Sequence, residues 1–118
     1  MSPKWSGLNV VSKDPNASEA IWQSVVEQIA KTAGWQVFHP SRHQVRAGVY
    51  RTDGIGFPDL VLAHPENGVI FAELKTNEGK LSVAQVVWAN ALKPHVEHYV
   101  WRPSQIDLVK ARLSRKSA

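Results

Sequence analysis

Asp59, Glu73 and Lys75 are the residues whose types and spacing could do chemistry in this sequence. Two apolar runs, PDLVLA over residues 58–63 and VIFAELK over 69–75, flank the linker HPENG. Each has the length and composition of a strand, and the linker is rich in turn formers, so the pair reads as a hairpin. A turn about Glu66 sets Asp59 opposite Glu73, on one face and within cross-strand reach. Lys75 lies two residues beyond Glu73 and therefore points to the same face. The remaining positions (Leu60, Val61, Leu62 and Ala63, then Val69, Ile70, Phe71, Ala72 and Leu74) are apolar on both faces, the pattern of strands covered on both sides.

Two adjacent carboxylates at the end of an apolar hairpin repel each other and resist desolvation unless something positive joins them. Lys75 itself could do so, which makes the three residues a half-buried ion triad. A divalent cation between the carboxylates is the other reading. Oxygen donors select hard cations, Mg²⁺ first and Mn²⁺ second. Carboxylates, such a cation and a nearby lysine together suit hydrolysis of a phosphodiester.

Other elements must position this hairpin. The spacing of Ile21, Val25 and Ile29, widened by Trp22, Val26 and Ala33, predicts a helix that Asn16 caps and Gly34 ends. Glu19 stands at the capping-box position after Asn16. Trp35 to Phe38 is a short strand. Residues 39–48 read as a basic polar loop running towards Val49 and Tyr50, and RTDGIGFP as a turn. Ser82, with Gln85 three residues on, opens a second helix that runs to about Lys93. Glu97 to Trp101 is a strand, and Ser104 caps a last helix to about Leu113. Trp22, Trp35, Trp88 and Trp101 read as core aromatics. Lys110, Arg112, Arg115 and Lys116 read as a basic tail. The order predicts an α/β fold, a mixed sheet flanked by helices.

With 118 residues there is room for one domain. We divide the chain into an irregular arm at 1–15 and a single domain at 16–118. A hydrophobic fraction of 43% supplies a core. No apolar run is long enough to cross a bilayer, and the first residues lack the pattern of a signal peptide. Cysteine is absent, which excludes disulfides and thiolate metal sites and suits a reducing cytoplasm, bacterial or that of a phage host. Lys and Arg number 14 against 10 Asp and Glu, so an anionic partner is favoured.

The stretches GFPDLVLA, ENGVIFAELKTNEGKLSVAQVVWANAL and YVWRP, with SEAIWQSVV and the following GW upstream, resemble the VRR-NUC family. That family is a branch of the PD-(D/E)xK nucleases, with a restriction-endonuclease-like fold. Pro58-Asp59 and Glu73-Leu74-Lys75 carry the bipartite motif, and the likeness runs from about Ser18 to Leu113. The resemblance implies Mg²⁺- or Mn²⁺-dependent DNA cleavage. Asp59, Glu73 and the Leu74 carbonyl would hold the metal, extended by Glu19. Lys75 would be the catalytic lysine, and Gln85 would lie at the rim towards phosphate or water. Stand-alone members resemble dimeric resolvases of branched DNA, such as four-way Holliday junctions in DNA repair, so a homodimer acting on junctions is expected.

Several of these residues have plainer readings. Glu19 and Gln85 could be capping residues only. His39, His43, Arg42, Arg46 and Arg51 could belong to a solvated loop. We expect His39, Arg42, Arg46 and Arg51 to contact DNA, because the cluster adjoins the hairpin and Arg suits phosphate oxygens. The rival functional classes are a non-catalytic DNA-binding module and a subunit of a replication or repair complex. Loss of a carboxylate or of the lysine would mark the former, and none is lost.

Overall fold

A proline opens the first helix. In the computed structural model, which describes residues 15–40, 44–46, 49–50 and 54–115 and the side chains over 19–40 and 54–115, α1 spans Pro15–Thr32. Proline suits the first helical position, where its missing N–H is not needed. Asn16 therefore lies inside the helix rather than capping it, and Glu19 is not the partner of a capping box. The helix ends as expected. Gly34 takes φ 91°, and the Trp35 N–H reaches back to the Ala30 carbonyl at 2.9 Å. Trp22, Val25, Val26, Ile29 and Ala30 form the buried stripe.

The main sheet has four strands in the order β1-β4-β5-β6. β1 (Gln36–Phe38) runs antiparallel to β4 (Leu60–His64), which runs antiparallel to β5 (Gly68–Leu74). β6 (Glu97–Trp101) is parallel to β5. A parallel neighbour requires a crossover, and α2 (Val83–Leu92) supplies it. Between β1 and β4, residues read above as a polar loop contain β2 (Gln44–Arg46) and β3 (Val49–Tyr50), paired in a separate ribbon. Val45 and Val49-Tyr50 favour strand, but two or three residues on each side are too few to show a period among polar neighbours. After β6, a 3₁₀ turn at Pro103–Gln105 leads into α3 (Ile106–Ser114). Ser104 lies inside that turn instead of capping the helix, because Pro103 already sets the turn's first position.

The sheet separates two unequal layers. Leu60, Leu62, Ile70, Ala72, Leu74 and Trp101 pack with α1 and with Val109 and Leu113 of α3 in the principal core. The opposite face is covered by α2, whose only fully buried residue is Ala89. Phe57 lies edge-on to both Phe71 and Trp88, at 5.9 and 4.8 Å between centroids, and ties strand to helix there. No helix among the described residues is long and apolar enough to cross a membrane.

Arg112 does not belong to a solvated basic tail. It is 8% exposed, and its guanidinium engages both carboxylate oxygens of Glu97, one at 2.8 Å. Nη2 also donates to the Asn67 carbonyl at 2.8 Å, and the group lies 5.3 Å from the Trp35 ring centroid. The Trp35 indole N–H donates in turn to the Leu113 carbonyl at 2.8 Å. One cation thus joins α3 to β6 and to the turn of the β4–β5 hairpin. The bond from Arg112, helped by the Tyr99 hydroxyl, holds the Glu97 carboxyl below its usual range against the opposing effect of burial. Arg112→Met should cost about 3 kcal/mol by leaving Glu97 without its partner. A depressed carboxyl contributes stability above the unfolded-state pKa, and that contribution is lost as pH falls. Urea unfolding at pH 7 and pH 4 should therefore show the gap between wild type and Glu97→Gln narrowing in acid. An equal gap at both pH values would remove the pair from the stability balance.

Candidate active site

The β4–β5 register runs from Leu60 opposite Ala72 to His64 opposite Gly68. Continued by one residue, it sets Asp59 opposite Glu73, as the turn about Glu66 requires. The turn is held by His64, whose Nδ1 accepts the N–H groups of Glu66 and Asn67 at 3.1 and 3.2 Å. At the other end, the Leu74 N–H donates to Asp59 Oδ2 at 2.8 Å. In an extended strand a residue's N–H and C=O project to the same edge, so the Leu74 carbonyl also faces Asp59. The next N–H, that of Lys75, points the other way and donates to the Trp101 carbonyl at 3.0 Å.

Glu73 is 2% exposed. Burial, then the hydrogen bond and charge of Asp59, push its carboxyl up to about 9, with a smaller push from Glu19 and only a partial offset from Lys75. The ion-triad reading of the three residues is not realised. Among the described residues no carboxylate lies within ion-pairing distance of the Lys75 ammonium. Asp59, partly exposed, and the buried Glu73 thus share one end of the sheet, and among the described residues no side-chain cation ion-pairs with both.

Gln85 takes up its capping role, and its side chain makes one further contact. Its Oε1 accepts the Ser82 N–H at 2.8 Å, and its own N–H donates to Ser82 Oγ at 3.2 Å, completing the capping box. Its Nε2 donates to Glu73 Oε1 at 3.1 Å. The same amide starts α2 and holds the buried carboxyl. Gly56 lets α2 come this close. A Cβ there would stand 2.4 Å from the Ala84 carbonyl carbon, and its φ of 86° disfavours any side chain.

Other expected residues lie further out. Glu19, exposed in α1, is near enough to Glu73 for its charge to be felt. His39 is engaged at both ring nitrogens, Nδ1 with Gln23 at 3.2 Å and Nε2 with Glu27 at 2.9 Å. A contact to DNA from His39 would have to replace one of these. Arg42, His43 and Arg51 lie outside the described residues, as does the side chain of Arg46 in β2. Sequence reasoning missed Arg102, whose guanidinium grips the turn after Lys75, and the carbonyl of Trp101. The Trp-Arg-Pro segment was visible as a motif, but its contacts span 23 to 79 residues of sequence and have no local signal.

A mixed sheet with a carboxylate pair and a lysine at the end of its central hairpin defines a nuclease-type domain of the restriction-endonuclease-like class. The VRR-NUC domain model matches residues 10–104, and the chain belongs to the VRR-NUC family. No curated protein and no solved structure matches it.

The raised carboxyl makes two quantities depend on pH. An acid whose folded pKa is raised stabilises the fold below its unfolded pKa, and that stabilisation is lost as pH rises through about 9. In chelator, the melting temperature should fall between pH 5 and pH 9, and Glu73→Gln should flatten the slope and raise the melting temperature at pH 8. Were a divalent cation to bind this pair near pH 7, its uptake should release about one proton, because a ligating carboxylate must be ionised. Calorimetry in buffers of different ionisation enthalpy measures that proton. Uptake with no proton released would mean that Glu73 is already ionised or takes no part.

Proposed function

We propose that this protein is a metal-dependent DNA endonuclease whose centre is Asp59, Glu73 and Lys75. The observation that carries the reading is the carboxyl pair, one member buried and only partly offset by charge, beside a lysine with no ion-pair partner among the described residues, in a chain of the VRR-NUC family. Among the described residues no three acids, histidines or cysteines cluster. The donors we assign among the described residues are two carboxyls and the Leu74 carbonyl, with Glu19 at the margin. Few protein ligands of hard oxygen type suit Mg²⁺ or Mn²⁺, which keep several waters, better than a full protein cage. Such a cation would supply Lewis-acid charge to the scissile phosphate and acidify the attacking water.

The chain's own groups do the rest. Gln85 fixes the orientation of the Glu73 carboxylate. Lys75, its charge not consumed by either acid, orients the water or offsets charge that develops in the transition state. Branched DNA cut by a homodimer is the substrate reading we favour. One such centre cuts one strand, a four-way junction requires two cuts, and two-fold pairing is the commonest way to supply two sites. The exposed apolar residues Val83 and Val87 of α2, and Ile55 in the turn before β4, offer surface for pairing. Arg42, Arg46 and Arg51 would serve as phosphate contacts.

Asp59→Ala and Glu73→Ala should each lower cleavage by about 100-fold or more with the fold intact, and Lys75→Ala should do the same while Mn²⁺ binding persists. The test is one panel of duplex, single strand, flap and four-way junction with Mg²⁺ or Mn²⁺, alongside light scattering at micromolar protein. Wild-type cutting by either carboxylate variant defeats the site assignment. A strict monomer making unpaired nicks on every substrate defeats the resolvase reading and leaves the nuclease standing.

A further inference from the structure

Lys75 is the last residue before a turn that has no strand to hold it. β5 ends at Leu74, and residues 76–79 carry a threonine, an asparagine, a glutamate and a glycine, with no apolar anchor. Their carbonyls converge instead on one nitrogen. Arg102 Nη1 donates to the carbonyls of Thr76 and Gly79, each at 2.6 Å, and lies 3.4 Å from that of Asn77. The Gly79 N–H closes the turn on the Thr76 carbonyl at 3.2 Å, and the Ser104 N–H donates to Asn77 Oδ1 at 2.8 Å. Hydrogen bonds from an ionised donor are the stronger kind, and three carbonyl dipoles aimed at one guanidinium nitrogen form a fitted cradle.

The clamp reaches the lysine through Gly79. A Cβ built on Gly79 would stand 3.4 Å from Lys75 Cδ and 2.9 Å from Thr76 Oγ1, so the aliphatic stem of Lys75 lies alongside the glycine. The backbone of Lys75 is fixed separately, by its bond to the Trp101 carbonyl, the residue before Arg102. Main chain and side chain of the lysine are thus both referred to the Trp101-Arg102 pair. We infer that Arg102 is a positioning residue for Lys75. It holds the 76–79 turn against the lysine stem, keeping the ammonium from collapsing onto Asp59 and Glu73 and presenting it to the phosphate. The inference deepens the nuclease reading and rests on it for its kinetic part. The contact itself does not.

The test uses Arg102→Met, which keeps the stem and removes the donors. In wild-type protein with labelled lysine, the Lys75 δ protons should show an NOE to the Gly79 α protons, and its absence there overturns the proposal whatever the variant does. In Arg102→Met the NOE should disappear. Single-turnover cleavage should slow by about tenfold or more, as expected for a displaced reacting group, with the Kd values for DNA and Mn²⁺ within about twofold of wild type. A retained NOE, an unchanged rate, or an equal loss of rate when the Lys75→Ala background receives the same change, each refutes positioning through Lys75. Should Lys75→Ala cleave like wild type, the nuclease assignment of the lysine fails, and the NOE still reports whether the clamp exists.

Discussion

The carbonyl of Trp101 accepts two hydrogen bonds, and the architecture of the site hangs from it. One comes from the Lys75 N–H at 3.0 Å and prolongs the β5–β6 pairing past the end of β5. The other comes from the Trp22 indole at 3.0 Å and fastens the first helix to the same point. Trp22 is fully buried, so its N–H must find an acceptor, and this carbonyl is where it does so. Glu19, three residues earlier on α1, is thereby carried to the margin of the carboxyl pair. The strand end, the lysine and the helix that brings the outer acid share one reference atom.

The division of labour between the two faces of the sheet follows from what each must bury. The α1–α3 face holds nearly all of the large apolar side chains and supplies the stability. The α2 face carries Glu73, and a buried acid without a cation works against folding at neutral pH. That cost is borne at one end of the sheet, while at the other end the Arg112–Glu97 pair, the Asn67 carbonyl and the Trp35 ring bind α3, β6 and the hairpin turn together. The two electrostatic centres are opposite in kind. In one, a cation and an anion satisfy each other. In the other, two acids are held by Gln85 and the Leu74 N–H, and among the described residues no cation pairs with them.

Sequence alone revealed those parts of this arrangement that depend on local chemistry. The Asp59–Glu73 juxtaposition was legible because two apolar runs around a five-residue linker admit one sensible register, and His64 happens to stabilise the same turn. The α2 capping box was legible because Ser82 and Gln85 satisfy each other within one turn. The start of α1 was misread, because Asn16 is a good cap in isolation while Pro15 takes the first helical position ahead of it. Ser104 failed for the same reason beside Pro103. The short β2–β3 ribbon has too few residues for a period to show. Arg112 looked like tail because three other basic residues surround it, and only the fold brings Glu97, 15 residues away, beneath its guanidinium. The α/β class, the mixed sheet and the family reading did not depend on any of these.

Why the lysine fails to neutralise its neighbours is the remaining physical question. Coulomb attraction favours approach of the ammonium to either carboxyl, the more so because Glu73 is buried. The lysine's stem is instead laid along Gly79, and the turn containing Gly79 is gripped by Arg102. Arg102 is excluded from the acids by the same bonds that make it a clamp, since its Nη1 is committed to backbone carbonyls. Arg102 is thus committed to the turn, and the stem of Lys75 is laid beside it. Burial first, and then the hydrogen bond and charge of Asp59, push the Glu73 carboxyl up to about 9, and Lys75 offsets this only in part. To meet an added positive charge, a side chain in that condition gives up a proton, where an ion-paired acid would have to give up a cationic side chain.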